Sequence, residues 1–194
     1  MKVLFLSNND NSKKLYQWLE KRCEIMYWDK KIDIEYINDV LPDMIISYNY
    51  KYMIKQDIIE SMKGNVINLH ISFLPWNKGS NPNFWSFVDN TPKGVTIHKI
   101  SSGLDEGAII YRREIVFDEK VETFATTYKK LNDEIVQLFM DNWNEIKEQN
   151  YIETPQAPGG SYHNMKDFRA ITEKCPVDWS ENINEYLIKL RNVV

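Results

Sequence analysis

Val66-Ile67-Asn68-Leu69-His70-Ile71-Ser72-Phe73-Leu74-Pro75 is the stretch on which the fold is read. Residues 66–70 are a short apolar run with Gly64 before them and Pro75 after them, which predicts a buried strand leaving its sheet. Asn68 and His70 stand two residues apart near its end, so the pleat sends an amide and an imidazole to one face. Toward the N-terminus, residues 2–7, 24–28 and 44–48 read as three more strands, the last an interior run led in by Pro42. Ser12 is placed to cap a helix with Leu15, Trp18 and Leu19 on one face. Residues 54–62 read as a helix ended by Gly64. Strands alternating with short helices predict right-handed βαβ units, hence an α/β, Rossmann-like, mostly parallel sheet.

After Pro75 the pattern changes. Pro82 suits the first turn of a helix carrying Phe84, Trp85 and Phe87. Residues 94–100 and 108–115 read as two alternating runs forming an antiparallel, hairpin-like pair. They are joined by Gly103-Leu104-Asp105-Glu106-Gly107, a tight loop with a carboxylate at its centre. Residues 121–150 read as one long helix whose stripe, Phe124 to Trp143, packs on the sheet. Residues 155–160 form a Pro/Gly-rich linker. The organisation expected is a catalytic domain over 1–150 and a small C-terminal lobe over 151–194.

The 194 residues are 43% hydrophobic and 13% aromatic, enough for a substantial core. With 24 Lys plus Arg against 28 Asp plus Glu, the net charge of −4 argues against broad nucleic-acid binding. Cys23 and Cys175 are far apart, so reduced thiols are expected rather than a zinc site or a disulfide framework. The apolar run at the N-terminus is too short for a signal peptide or a membrane span, and a cytoplasmic protein with no membrane partner is expected.

An amide, an imidazole and a carboxylate are what acyl transfer to an amine requires when no nucleophilic Ser or Cys and no metal takes part. Asn68 can donate to a developing oxyanion. His70 can manage the proton of the attacking amine or donate to the oxyanion. Asp105 can orient His70 and stabilise its protonated form. The bland readings are a satisfied structural histidine and an ordinary turn; the two-residue spacing of Asn68 and His70 favours the functional one. His98, on an alternating run, reads as structural or pocket-lining, and His163 as a residue that can touch a substrate. No His spacing supports a metal site. The first loop, Ser7-Asn8-Asn9-Asp10, contains no glycine to cradle a phosphate.

Asn68-Leu69-His70-x-Ser72-x-Leu74-Pro75, Gly79 and Asp105-x-Gly107-x-Ile109 together resemble the formyltransferase fold family that uses N10-formyltetrahydrofolate. The resemblance runs from the first strand to the long helix and sets Asn68, His70 and Asp105 on that family's catalytic positions. Ile71 departs from it, since many members carry proline there. The run from Leu74 through Gly79, Pro82 to Trp85 and Gly94 to His98 is similar to the sugar N-formyltransferases, as is Tyr162-His163-x-x-x-Asp167. That branch formylates the amine of a nucleotide-linked deoxysugar, most often dTDP-linked and bound for a surface polysaccharide such as O-antigen. The resemblance implies a 3- or 4-amino sugar acceptor, N10-formyltetrahydrofolate as cosubstrate, no metal, and a homodimer. A glycinamide ribonucleotide transformylase-like or other small-amine formyltransferase is the alternative, and its glycine-rich first loop is missing here.

The resemblance also implies where the substrates lie. Folate falls to backbone groups of Tyr50, Lys51, Tyr52 and Met53 and of Ser101, Gly103 and Leu104. The acceptor falls to Asn9, Trp76, Lys78, Trp85 and Tyr162. In that set a lone ammonium at Lys78 suits a pyrophosphate and the rings of Trp76 and Tyr162 suit a base or sugar. A solvated lysine and ordinary aromatic packing are the competing readings.

Overall fold

The chain alternates strand and helix through its first 70 residues. In the computed structural model, which describes residues 1–193, the strands are β1 Lys2–Leu6, β2 Glu24–Trp28, β3 Met44–Tyr48 and β4 Val66–His70. β1 pairs in parallel with β2 and with β3, and β3 with β4, so that Ser47 lies opposite Asn68. Both faces of β1 and β3 are buried, as a parallel interior strand requires. With β6 Gly94–Lys99 and β7 Ile109–Glu114 the six-stranded sheet has the order β2-β1-β3-β4-β6-β7. Lys99 N–H donates to Ala108 O and Ile115 N–H to Lys93 O, the pattern of the antiparallel pair read from the sequence. β6 is buried on both faces rather than alternating.

Helices α1 Lys13–Leu19 and α3 Gln56–Ser61 lie where periodicity puts them, and Gly64 at φ +74° closes the turn after α3. Ser12 begins α1 without a side-chain cap; its hydroxyl donates instead to Asn9 O at 2.6 Å. Trp18 stays half-exposed, with the Arg22 guanidinium 3.8 Å above its ring. Helix α2, Ile34–Val40, has only a weak apolar stripe and is not predicted. It is started by Asp33, whose carboxylate accepts from Tyr36 N–H at 2.9 Å, and Trp28 stacks on Tyr36 at 4.1 Å.

The single helix expected over 121–150 is two, α5 Phe124–Asp141 and α6 Trp143–Glu148. Asn142, at φ −110° and ψ 14°, breaks the helical path, while Phe139 and Trp143 keep their rings 5.4 Å apart. The tail forms a second ladder, β5 Lys78–Gly79 with β8 Tyr162–His163, and the helices α7 Met165–Thr172 and α8 Ile183–Arg191; α4 is Pro82–Val88. Asp167 belongs to a capping box. Asn164 accepts from the N–H groups of Lys166 and Asp167, and the Asp167 carboxylate accepts from Asn164 N–H.

The residues group into two compact units. One comprises Met1–His70, Ile97–Tyr111 and Phe139–Gln156; its core gathers Leu4, Leu6, Ile45, Ile58 and Val66. The other comprises Ile71–Thr96, Arg112–Leu138 and the chain from Ala157 onward, around Phe84, Phe87, Phe124 and Tyr186. The Tyr186 hydroxyl donates to Cys175 O at 3.0 Å, and burial pushes its pKa upward. Among the described residues no helix is long and apolar enough to cross a membrane.

Candidate active site

β4 delivers Asn68 and His70, and the loop after β6 delivers Asp105; all three fall in the first unit. The Asn68 amide nitrogen lies 3.2 Å from Asp105 Oδ1 and 3.2 Å from His98 Nε2. His70 Nε2 lies 3.7 Å from Asp105 Oδ2, a charge-pairing distance that is long for a hydrogen bond. Catalytic pairs are commonly loose before substrate binds. His70 and Asp105 are nine-tenths buried, so their charges act through a medium poorer than water.

His98 joins this cluster, although its position in the sequence favours a structural or lining role. It is 1% exposed, its ring meets that of His70 edge-on at 6.2 Å, and its Nε2 is 3.5 Å from Asp105 Oδ1. Its Nδ1 is 2.7 Å from Lys99 O. A carbonyl only accepts, so Nδ1 carries a proton, and when that is the ring's only proton Nε2 is an acceptor facing the Asn68 amide. That contact fixes which way the amide faces. The readable signal is spacing: His98 and Asp105 are seven residues apart, across one short loop.

Asp105 has left-handed backbone, φ +53°. Aspartate tolerates that region better than most residues. Gly107 stands so close to β6 that a Cβ there would be 1.8 Å from Lys99 O. The glycine after Asp105 is therefore set by a close approach of backbones.

The residues assigned to folate also lie in the first unit. The Tyr50 hydroxyl donates to Lys30 O at 2.6 Å and accepts from Ile32 N–H, and burial drives its pKa up to about 12. Its side chain thus holds the fold, and so does Lys51 N–H, which donates to Asn8 Oδ1. Tyr52 meets Tyr50 edge-on at 5.4 Å. Met53 and Leu104 are exposed, and the Glu106 carboxylate lies against Gly103. Ser101 turns its hydroxyl toward Gly103 O. An exposed apolar side chain on each loop, beside main-chain groups, suits a flat heterocycle with a polar edge.

Asn9 belongs to this unit too, as the cap of a short 3-10 turn in which its Oδ1 accepts from Asn11 N–H. Asn8 is the anchor that the sequence does not advertise: its amide donates to Asp29 O, and its Oδ1 receives Lys51 N–H.

The remaining assigned residues belong to the second unit. Lys78 pairs with Tyr162 and Gly79 with His163 in the β5–β8 ladder. Tyr162 is half-exposed, while Trp85 is 4% exposed beneath His163, the two rings stacked at 3.8 Å and 6°. His163 Nε2 is 2.7 Å from Asp89 Oδ2. Trp76 is half-buried and follows a cis Leu74–Pro75 peptide.

Polar side chains hold this loop. Thr96 donates to Ser72 O at 2.7 Å, Arg112 to Leu74 O at 2.9 Å, and Asn77, at φ +57°, to Thr91 Oγ1 at 2.7 Å. Ser161 Oγ accepts from Asn77 N–H and donates to its Oδ1. A cavity of about 390 Å³, mostly apolar, is lined by Ile71, Asn81, Asn83, Phe84, Tyr128 and Trp179. Gly79, at φ +89°, leaves no room for a Cβ, which would stand 2.3 Å from His163 O. Gly79→Ala is expected to lower unfolding stability in urea by at least about 1–2 kcal/mol from the backbone alone, before the clash is counted.

Residues 27–142 match the family model described as Formyl transferase. The chain belongs to the formyl transferase family. Among solved structures, the formyltransferase PseJ from Anoxybacillus kamchatkensis is 42% identical to this chain, with a TM-score of 0.87 over 96% of this chain and 97% of that one. It was solved with UDP-4,6-dideoxy-4-formamido-L-AltNAc and tetrahydrofolate. A dTDP-4-amino-4,6-dideoxyglucose formyltransferase of Mycobacterium bovis is 30% identical over 129 residues, 66% of this chain and 54% of the relative. The chain thus spans about half the length of the curated relatives it matches. The N-formyltransferase from Helicobacter canadensis, 18% identical with a TM-score of 0.75 over 98% of this chain and 80% of its own, shares the fold.

Proposed function

We propose that this protein moves a formyl group from N10-formyltetrahydrofolate to the amino group of a nucleotide-linked amino-deoxysugar. The observation that carries the proposal is the buried cluster in which Asp105 faces both the Asn68 amide and the His70 imidazole. The likeness to PseJ, whose structure holds a formamido sugar nucleotide, supports the acceptor class. The unprotonated amine attacks the formyl carbon, forming a C–N bond while the carbonyl electron pair moves to oxygen. The Asn68 N–H now facing His98 turns to that oxyanion. His70, held by Asp105, takes the amine proton and returns it to N10 as the C–N bond to folate breaks. The amine is itself the nucleophile, so no covalent enzyme intermediate forms, and holding both substrates together supplies much of the rate.

In this proposal Tyr50 to Met53 and Ser101 to Leu104 hold the folate by main-chain groups, with Met53 and Leu104 against its ring. Lys78 meets the pyrophosphate, and Trp76 and Tyr162 flank the base or sugar, with Trp85 backing His163 and Asn9 contributing from the first loop. Residues 151–194 serve the acceptor side as an appendage of the catalytic region, and the working form is a homodimer.

The branch resemblance favours a dTDP-linked acceptor for a surface polysaccharide. The UDP-linked sugar held by the 42% identical relative favours uridine and an amine on carbon 4. Incubation with N10-formyltetrahydrofolate and a panel of UDP- and dTDP-linked 3-amino and 4-amino sugars, with glycinamide ribonucleotide as control, decides between them by mass. One formylated nucleotide sugar is expected; formylation of glycinamide ribonucleotide alone would reject the acceptor. Asn68→Ala is expected to lower kcat by about 10²- to 10³-fold, the usual effect of removing one oxyanion donor.

A further inference from the structure

We propose that Gln156 is a positioning residue for Asp105; the inference rests on the reading that Asp105 acts with His70. One amide nitrogen carries it. Gln156 Nε2 donates to Asp105 O at 2.7 Å and to Gly107 O at 2.9 Å, so both of its hydrogens are spent on the carbonyls either side of Glu106.

The backbone brings Gln156 there by register. Ile109 and Thr154 exchange both hydrogen bonds of an antiparallel bridge, at 2.8 and 2.9 Å. Two residues along in each direction, the same register sets Gln156 opposite Gly107. The loop is gripped from the other side as well, since Gly107 lies against the Lys99 backbone.

The grip bears on the one residue whose backbone has a conformation to be held. Asp105 sits at φ +53°, and a change in its backbone angles would carry the carboxylate away from Asn68 and His70. Fixing the carbonyl of residue 105 and that of residue 107 removes this freedom. The Gln156 Oε1 atom is buried and accepts nothing. Toward this loop the residue acts as a double donor.

Two replacements of similar size test this. Gln156→Met keeps the volume without donors, and Gln156→Glu points a carboxylate at two carbonyls. In each, kcat is expected to fall about 100-fold, the cost of an ångström-scale misplacement, with KM for folate and acceptor within about threefold. The melting temperature of Gln156→Met should stay near wild type. The second readout is the imidazole NMR titration of the unliganded protein. Asp105 faces both imidazole rings. With the carboxylate displaced, the His70 titration should move to lower pH in Gln156→Met, in the same direction as in Asp105→Asn and by less. In an Asp105→Asn background the Gln156 change should have no further effect on kcat. Wild-type kcat with unmoved titrations in Gln156→Met would overturn the inference, and so would lost activity with unmoved titrations, which marks a merely structural role. If the titrations move while Asp105→Asn still transfers formyl at the wild-type rate, the positioning role stands and the catalytic reading of Asp105 falls.

Discussion

His70→Asn is expected to lower kcat for formyl transfer by about 10⁴-fold, the upper range for removal of a proton-transferring group. The asparagine keeps a polar side chain of similar reach, so the buried site is not left with a hole. What it loses is a group that both takes and returns a proton near neutral pH. Asn68 still faces the oxyanion and both substrates still bind, so KM values should change little. An interaction made only in the transition state behaves this way, lowering kcat and kcat/KM together. The variant should be compared with wild type under single turnover, where product release cannot mask the chemical step. Turnover within tenfold of wild type would remove His70 from the mechanism.

Asp105→Asn is the second large effect, with an expected loss of up to about 10⁴-fold, as when an orienting carboxylate beside a catalytic imidazole is made neutral. The change is isosteric, but three contacts depend on the charge. Asp105 faces the Asn68 amide at 3.2 Å, His98 at 3.5 Å and His70 at 3.7 Å. A neutral amide sets an N–H against the Asn68 donor, or else turns it toward the imidazoles, and in both cases the protonated form of His70 loses its counter-charge. The sign follows. Without the carboxylate His70 protonates at lower pH, so residual activity should require a different pH from wild type. A variant with the wild-type rate and pH profile would contradict the role assigned to Asp105.

The parallel sheet was legible because each interior strand is a short apolar run between turn residues. Asn68 and His70 were legible because a period of two puts them on one face. The Asp105 loop was visible as a carboxylate between glycines, and the structure gives the reason for one of them: Gly107 has no room beside Lys99. Other parts depend on contacts far apart in sequence. Gln156 reaches the Asp105 loop across 51 residues, and Ser161 holds Asn77 across 84. No local periodicity records either pairing. The two-residue strands Lys78–Gly79 and Tyr162–His163 are too short for a pattern and exist because each completes the other. Helix α2 was missed because seven residues with few apolar positions give little amphipathic signal, although its cap, Asp33, was in view. The break at Asn142 lies inside a continuous apolar stripe, so periodicity alone joins α5 to α6. His98 shows the converse limit: its strand position was readable, but its contacts with Asn68, His70 and Asp105 were not.

The central claim is direct transfer from folate to a sugar amine under the control of Asn68, His70 and Asp105. The most direct test is a single-turnover reaction with formyl-labelled N10-formyltetrahydrofolate and a nucleotide-linked 4-amino-deoxysugar, following the label in folate, protein and sugar. In the wild type the label is expected to pass from folate to the sugar nitrogen without appearing on protein. In His70→Asn and Asp105→Asn it should remain on folate. Label bound covalently to the protein, or wild-type rates in both variants, would contradict the account.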